Sequence, residues 1–266
     1  NKDKLLPLKK DIRTLAVIGP NADNVYNMLG DYTAPQADGT VVTVLDGIRQ
    51  KVSKETRVLY AKGCTVRDSS RTGFKDAIET ARNADAVVMV MGGSSARDFS
   101  SEYEETGAAK VTINQISDME SGEGYDRATL HLMGRQLELL EEISRLGKPV
   151  VLVLIKGRPL LMEGAIQEAE AIVDAWYPGM QGGNAVADVL FGDYNPAGRL
   201  TLSVPRSVGQ LPVYYNTRRK GNRSRYIEEP GTPRYPFGYG LSYTTFSYTD
   251  MKVQVTEGSD DCRVDV

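Results

Sequence analysis

The sequence has few of the residues from which metal and redox sites are built. Its two cysteines, Cys64 and Cys262, lie far apart without metal-ligand spacing, and its one histidine is His131. Zinc sites usually take three or four Cys, His or carboxylate ligands, so multi-histidine and cysteine-cluster sites are excluded. His131 lies in the apolar run "LHLMG", which favours a structural role over a catalytic triad. We expect no metal and no cofactor.

Strong charge imbalance and long apolar runs are also missing. The 32 basic and 35 acidic residues leave a formal net charge of -3. The chain therefore has no excess of positive charge that would indicate binding to nucleic acid. No run approaches the roughly 20 apolar residues that span a bilayer, so we expect no membrane insertion. The first twenty residues contain no recognisable secretory signal, and a mature exported protein would look the same.

Short apolar runs rich in Val, Ile and Ala are what the sequence does contain. Such continuous runs are typical of strands that are buried on both faces of a parallel sheet. Three amphipathic stripes alternate with them, around Phe74–Ala81, Leu132–Leu146 and Val186–Leu190, and predict helices. This alternation predicts a doubly wound α/β fold, a three-layer α/β/α sandwich. The predicted strands are Thr14–Gly19, Arg57–Gly63, Ala86–Gly93, Pro149–Gly157 and Ala171–Tyr177.

Composition divides the chain into four parts. Residues 1–13 are predicted to be an interdomain linker, and residues 14–204 the α/β sandwich. Residues 205–250 are rich in Tyr, Pro and Gly and predict an irregular strap. Residues 251–266 begin two alternating strand patterns, and because a lone strand pair is marginally stable, we expect a further β domain to start there.

The segment between the third and fourth predicted strands, Gly92–Gly124, is long and aperiodic. Long loops in compact domains are commonly functional, and ligands bind at the carboxyl ends of parallel strands. Within this segment, Glu102, Glu104 and Glu105 form an acidic cluster, for which a solvated surface is the favoured interpretation.

The stretch "ESGEGYDRATL" runs from Glu120 to Leu130 and holds the more specific candidate. Glu123 is flanked by two glycines, which permit unusual dihedrals and close approach of a ligand. Tyr125 adds an aromatic face, and an aromatic face beside a carboxyl group suits a sugar site. From the residues alone, a catalytic Glu123 and an ordinary loop glutamate both remain open.

The sequence resembles glycoside hydrolase family 3 along nearly its whole length. The resemblance rests on "LLPLKKDIRTLAVIGPNAD", "GEGYDR" with the following "LHLMGRQLELLEEI", "GKPVVLVLIKGRPL", "AIVDAWYPGMQGGNAVADVLFGDYNPAGRLTLSVPRSVGQLPVYY" and "YPFGYGLSYTTFSY", in that order. It implies the C-terminal α/β sandwich domain of a retaining, exo-acting β-glycosidase, most often a β-glucosidase. With it we expect a six-stranded, mostly parallel sheet, followed by the start of a fibronectin type III-like domain. One departure is Met133, where many relatives have proline.

The resemblance also implies roles for the loop residues. Glu123 matches the family's general acid/base glutamate, and Tyr125 matches an aromatic residue at the aglycone subsite. The nucleophilic aspartate of the family lies in a TIM-barrel domain, which the sequence as given does not contain. The implied partners are therefore a β-linked oligosaccharide or glycoside substrate and a missing N-terminal barrel. Relatives with this architecture are commonly periplasmic or secreted.

Three other functions remain open at this point. One is a β-xylosidase or another exo-glycosidase, because the barrel would select the sugar. A second is a non-catalytic carbohydrate-binding or assembly module. The third, a flavodoxin-like nucleotide domain, is disfavoured because there is no Walker motif and no GxGxxG after the first strand.

Overall fold

The computed structural model describes residues 1–96, 105–106, 118–216, 226–247, 249–255 and 262–265. Five parallel strands form one sheet in the order β2-β1-β3-β4-β5, with registers such as Val17 opposite Val88 and Leu152 opposite Ile172. The strands are β1 (Thr14–Ile18), β2 (Arg57–Ala61), β3 (Ala86–Gly92), β4 (Val150–Ile155) and β5 (Ala171–Asp174). All five coincide with predicted apolar runs.

The α/β sandwich prediction is confirmed, but the sheet has five strands in the described residues instead of the expected six. The chain after the last helix explains the difference. It has no continuous apolar run comparable to those of the five strands. At Val204 it forms an isolated antiparallel bridge to Tyr235 instead of joining the sheet.

Alternate residues of the strands face opposite layers. In β3, Val88 and Val90 belong to one buried cluster and Val87, Met89 and Met91 to the other. This is the period-two arrangement of a strand that is covered on both faces. It explains why the strands are recognisable as continuous apolar runs.

Helices cover both faces, as a parallel sheet with crossover connections requires. Buried residues of α1 and α5 belong to the first cluster, while those of α2, α3 and α4 belong to the second. A β-carbon at Gly47 would lie 2.1 Å from the Gly183 carbonyl oxygen, so glycine allows α1 and α5 to approach closely. The helices are α1 (Val44–Lys51), α2 (Phe74–Arg82), α3 (Gln136–Ser144), α4 (Glu163–Glu168) and α5 (Gly182–Leu190).

Helix α3 begins later than the predicted stripe, at Gln136, and its start is tied to the end of β3. The Gln136 side-chain amide donates to the Gly92 carbonyl oxygen at 2.9 Å, and its oxygen accepts from the Gly92 amide at 2.9 Å. A buried amide that pairs with strand backbone satisfies polar groups that would otherwise be unpaired. The loop between β3 and α3 is thus fixed at both of its ends.

The outer parts of the chain are less regular. Leu6 and Leu8 of the N-terminal segment are buried in the first cluster. Short 3-10 helices occur at Lys2–Lys4, Tyr26–Met28 and Val208–Gln210, and β6 (Lys252–Val255) pairs antiparallel with β7 (Cys262–Asp265). Among the described residues, no helix has the length and apolar character needed to cross a membrane.

The strand order contains a switch point. β1 lies between β2 and β3, so the connections leaving β1 and β3 diverge to opposite sides. In doubly wound sheets, ligands bind in the crevice outside the carboxyl ends of the strands at such a point. The chain that follows β3 leaves the sheet there and leads into the glycine-flanked loop.

Candidate active site

The described part of the long connection after β3 centres on the loop Glu120–Leu130. Glu102 and Glu104 of the acidic cluster lie outside the described residues, and Glu105 is exposed. Met119 and Glu120 are buried at the start of the loop, whereas residues 122–124 are exposed. The loop therefore leaves the protein interior and presents a short, glycine-rich tip.

Glu123 lies at this tip and its side chain reaches solvent. The adjacent Gly122 and Gly124 have φ values of +110° and +81°, in the region that favours glycine. A residue with a β-carbon would be strained at either position, so the two glycines create the turn that carries Glu123. The sequence pattern indicated this turn correctly.

Two residues from the chain after β1 contact Glu123. The Tyr32 hydroxyl donates to Glu123 Oε2 at 3.1 Å, and the Glu123 amide donates to Asp31 Oδ2 at 3.4 Å. The site therefore joins the connections that leave β1 and β3 on either side of the switch point. No local sequence pattern indicated Asp31 or Tyr32.

Tyr125 lies two residues beyond Glu123 and is half-buried. Its amide donates to the Gly122 carbonyl oxygen at 3.2 Å, which closes a tight turn around Glu123. The Arg67 guanidinium lies 5.9 Å from the centre of its ring, and Arg158 donates to its carbonyl oxygen. One arginine therefore lies near the aromatic ring of Tyr125 and another contacts its backbone.

Glu120 differs in character from Glu123, although both belong to the same loop. Its side chain is 1% exposed and forms an ion pair of 2.5 Å with Arg127, whose side chain is 7% exposed. Arg127 also donates to the carbonyl oxygen of His131. The structure therefore places Glu120 inside the protein with a charged partner.

A buried polar network connects the same two strand ends below the loop. Asn21 donates to the Gly93 carbonyl oxygen at 3.0 Å and accepts from Asn27 at 2.7 Å. Ser94 donates to Asn27 Oδ1 at 2.6 Å and accepts the Glu120 amide at 2.7 Å on its carbonyl oxygen. The start of the loop is therefore hydrogen-bonded, through Ser94, to the chain after β1.

A second ion pair lies at the ends of β4 and β5. Lys156 Nζ lies 2.9 Å from Asp174 Oδ2 and 3.8 Å from the centre of the Trp176 ring. Burial lowers the pKa of Lys156, and the charges of Asp174 and Glu120 oppose that effect by raising it. Burial likewise raises the pKa of Asp174, against the opposing charge of Lys156. The buried Lys156 is therefore electrostatically coupled to the base of the loop through Glu120.

His131 is exposed, and its backbone carbonyl oxygen accepts a hydrogen bond from Arg127 of the loop.

Within the described ranges, no group of three His, Cys, Asp or Glu side chains is arranged to hold a metal ion. A cavity of about 610 Å³ lies elsewhere, along the outer edge of β5, between that strand and the segments near Pro196–Leu200 and Tyr239–Tyr243. It does not include the residues of the Glu123 loop.

The arrangement can therefore present the carboxyl group of Glu123 to solvent from a loop whose base is hydrogen-bonded to the chain after β3. The turn sets the position of Glu123, and the neighbouring Tyr32 hydroxyl supplies a hydrogen-bond donor to it. Such a group can transfer a proton to or from a molecule bound against this edge.

Comparison with known proteins identifies the relatives of this chain. Residues 1–243 match the family described as the glycosyl hydrolase family 3 C-terminal domain. A protein named beta-xylosidase from Formosa agariphila is 42% identical over 96% of this chain and 33% of its own length. A periplasmic beta-glucosidase from Salmonella typhimurium is 39% identical over 94% of this chain and 34% of its own length.

Solved structures agree with these matches. The crystal structure of beta-glucosidase from Listeria innocua in complex with isofagomine superimposes with a TM-score of 0.76 at 32% identity, covering 96% of this chain and 33% of that protein. A beta-glucosidase from Erythrobacter marinus gives a TM-score of 0.78 at 35% identity, covering 96% and 34%. The chain spans about a third of the length of the relatives it matches. On this evidence the chain belongs to glycoside hydrolase family 3, of which it represents the C-terminal domain.

Proposed function

We propose that this chain is part of a retaining, exo-acting β-glycosidase, with β-glucosidase as the first candidate activity. We propose further that Glu123 is its general acid/base. The observation that carries the proposal is the position of Glu123. It is an exposed carboxyl group on a glycine-flanked turn at the carboxyl edge of the sheet, next to the switch point between β1 and β3. That edge is where doubly wound sheets bind ligands.

The chemistry requires two carboxyl groups about 5–5.5 Å apart. A nucleophilic carboxylate attacks the anomeric carbon while Glu123 gives its proton to the glycosidic oxygen, and the bond from that oxygen to the sugar breaks. In the second step Glu123 takes a proton from water, whose oxygen attacks the anomeric carbon and releases the nucleophile. The nucleophile is proposed to come from a separate barrel domain.

Tyr125 is proposed to line the subsite for the leaving group. Tyr125 is half-buried, two residues from Glu123 in the chain, and the Arg67 guanidinium lies 5.9 Å from the centre of its ring, which leaves part of its surface for contact with a sugar or aryl group. Aromatic faces supply large contact areas with little loss of conformational freedom. The tyrosine would then help to place the glycosidic oxygen near the carboxyl group.

The sugar specificity has two candidates. The names of the relatives include both beta-glucosidase and beta-xylosidase, and the beta-xylosidase from Formosa agariphila is 42% identical to this chain. Hydrolysis of 4-nitrophenyl β-glucoside and β-xyloside by the complete enzyme separates them. If kcat/KM for the xyloside is at least tenfold higher than for the glucoside, the proposed activity is that of a β-xylosidase and not of a β-glucosidase.

The domain organisation and the compartment are proposed on the same basis. A barrel domain would complete the site, and the antiparallel pair β6–β7 would begin a fibronectin type III-like domain at residues 251–266. The linker, sandwich and strap would occupy residues 1–13, 14–204 and 205–250. A relative named periplasmic beta-glucosidase supports a periplasmic or secreted location.

The deciding experiment compares Glu123→Gln with the unchanged enzyme on two kinds of glycoside. Substrates with poor leaving groups need the proton of Glu123, whereas activated aryl glycosides depart with little assistance. We expect a loss of about 10²- to 10⁴-fold on the former and a much smaller loss on the latter. Asp126→Asn, which alters an exposed carboxyl group of the same loop, is the matched control and should leave both rates near normal. Equal losses of Glu123→Gln on both substrate types would contradict the proposal.

If the chain were instead a non-catalytic carbohydrate-binding module, Glu123→Gln would leave hydrolysis by any associated barrel unchanged. Sugar binding, measured by calorimetry, would then be its function. That outcome would overturn both the acid/base role and the shared-site proposal.

A further inference from the structure

The glycine-rich tip that carries Glu123 is exposed to solvent. Residues 122–124 are exposed, and a backbone hydrogen bond of 3.2 Å from Tyr125 to Gly122 closes the turn. The other described contact of the backbone is the Glu123 amide with Asp31, at 3.4 Å. Because glycines at positive φ add conformational freedom, the position of Glu123 depends on how the base of the loop is held, in addition to its contacts with Asp31 and Tyr32.

The base of the loop is closed by an ion pair. Glu120 and Arg127 stand seven residues apart on either side of the tip, and Arg127 donates to Glu120 Oε2 at 2.5 Å. Both side chains are nine-tenths or more buried. Charge-assisted hydrogen bonds are stronger than neutral ones, and burial reduces their screening by solvent. The pair therefore fixes the distance between the two ends of the tip.

Each partner makes a further hydrogen bond. The Glu120 amide donates to the Ser94 carbonyl oxygen at 2.7 Å, directly after β3. Arg127 holds the His131 carbonyl oxygen, and the neighbouring Ser121 hydroxyl lies 2.9 Å from that of Tyr177, beyond β5. Glu120 and the adjacent Ser121 thus connect the start of the loop to the chain after β3 and to the chain beyond β5.

The fit around Glu120 is close. A β-carbon at Gly93 would lie 2.0 Å from Glu120 Oε1, so the carboxyl group occupies space that only glycine leaves open. Glu120 Oε1 has no hydrogen-bond partner among the described residues. Burying a charged group that is only partly paired is unfavourable for stability. An ionic residue at this place therefore needs an explanation other than stability.

We propose that Glu120 is a positioning residue, which sets the place of Glu123 through its buried ion pair with Arg127. This inference rests on the proposed acid/base role of Glu123. It assigns to Glu120, the first glutamate of "ESGEGYDRATL", a function distinct from that of a structural flank. A displacement of the tip by about 1 Å would move the proton donor away from the glycosidic oxygen and can lower the rate about 100-fold.

The test uses the complete enzyme with Glu120→Gln, which keeps the shape of the side chain and removes its charge. We expect kcat for poor-leaving-group glycosides to fall by about 10- to 100-fold, with a much smaller change for activated aryl glycosides and a nearly constant KM. In a Glu123→Gln background, the same substitution should cause little further loss, because the group that it positions is already absent. A general structural defect would instead reduce both substrate types alike and would multiply the loss of Glu123→Gln.

Glu170→Gln provides the matched control. Glu170 is a half-buried carboxylate that accepts the Val150 amide at 2.7 Å at the opposite, amino end of β4. Its substitution should lower the melting temperature without changing the ratio of rates on the two substrate types. If Glu120→Gln does not fold, Arg127→Lys keeps the charge and shortens the reach, and it should show the same change in the rate ratio.

The outcomes separate this inference from the proposed function. If Glu123→Gln shows the leaving-group dependence while folded Glu120→Gln and Arg127→Lys keep the normal rate ratio, the positioning role is overturned and the acid/base role stands. If Glu123→Gln itself shows no such dependence, the acid/base role of Glu123 is contradicted, and the positioning role that rests on it is contradicted as well. A multiplicative loss in the double variant also contradicts positioning.

Discussion

The hydroxyl of Tyr32 donates a hydrogen bond to Glu123 Oε2 at 3.1 Å, across a separation of 91 residues. Tyr32 follows β1 and Glu123 follows β3, and these two strands are neighbours in the sheet. Parallel strands bring their carboxyl ends to the same edge, so residues distant in sequence meet there. The contact gives the proposed acid/base group an orienting partner.

Replacing Tyr32 with Phe tests this partner. The substitution removes the donor and keeps the ring, so we expect kcat/KM on poor-leaving-group glycosides to fall about two- to tenfold, the range for one net hydrogen bond. Tyr194→Phe, at an exposed tyrosine outside the loop, is the control. An unchanged kcat/KM for Tyr32→Phe would show that the hydrogen bond has no role in proton transfer.

The close packing at Gly93 predicts a strong effect of a single methyl group. In Gly93→Ala the new β-carbon would lie 2.0 Å from Glu120 Oε1, so the carboxyl group must move. Overpacking of this kind destabilises by about 1–3 kcal/mol, which urea unfolding measures. Gly198→Ala is the control, because a β-carbon at that position would have no neighbouring atom within 4 Å. Equal free energies of unfolding for the two variants would contradict the packing described here.

The ion pair of Lys156 and Asp174 predicts a coupled effect on stability. Lys156→Met leaves Asp174 as an uncompensated, largely buried charge, so we expect the free energy of unfolding to fall by about 3–5 kcal/mol. The double variant Lys156→Met/Asp174→Asn removes both charges and should recover most of the loss. A double variant as unstable as the sum of two single variants would contradict the pairing.

The same variant has a predictable pH dependence. Burial raises the pKa of Asp174, and Lys156 opposes this, so the pKa rises further when Lys156 is replaced. A carboxyl group with a raised pKa in the folded state contributes stability below its unfolded pKa of 3.8, and this contribution is lost as the pH rises through the folded pKa. The destabilisation of Lys156→Met should therefore be smaller near pH 4 than at pH 7. Urea unfolding at both pH values measures it, and an equal loss at both would contradict it.

Cys64 provides a second test of burial. Its side chain belongs to the buried cluster that includes residues of α2 and α3, and burial raises the pKa of the thiol to about 12. The folded state therefore favours the protonated thiol over the thiolate. The stability that comes from this difference is complete below the ordinary pKa of 9.0 and is lost as the pH rises toward the folded-state pKa of about 12. Between those values the slope is about 1.4 kcal/mol per pH unit for one group.

Two measurements check the Cys64 prediction. Site-resolved mass spectrometry should find Cys64 unalkylated after iodoacetamide treatment of the folded protein at about pH 8. In Cys64→Ala, the decline in the free energy of unfolding between about pH 9 and pH 10.5 should be smaller than in the unchanged protein. Rapid alkylation, or an identical decline in both proteins, would contradict the burial of the thiol.

Much of the fold could be predicted from the sequence because the central strands are covered on both sides. In "AVVMVMG" every residue of β3 is buried, which makes the strand visible as a continuous apolar run. Helix α1 did not produce such a run, although Thr43 caps it by accepting the Asp46 amide. A search for a threonine cap followed by Val44, Leu45 and Ile48 would have found it.

The site could be predicted only in part. The glycines around Glu123 indicated a turn, because their effect is local. Asp31 and Tyr32 could not be found, since their contact with Glu123 depends on the strand order. The burial of Glu120 was also hidden, because a glutamate beside serine and glycine resembles a surface residue until its partner Arg127 is seen.

The central claim is that Glu123 transfers the proton in a retaining glycosidase, and rescue by azide tests it most directly. In Glu123→Ala of the complete enzyme, the second step loses its base, so the glycosyl-enzyme should accumulate from an activated aryl β-glycoside. Azide is a strong nucleophile that needs no base; it would attack the anomeric carbon and release the nucleophilic carboxylate. We predict that azide restores turnover and yields the β-glycosyl azide, identified by NMR. Turnover that is normal without azide, or a loss that azide does not reverse, would contradict the assignment of Glu123.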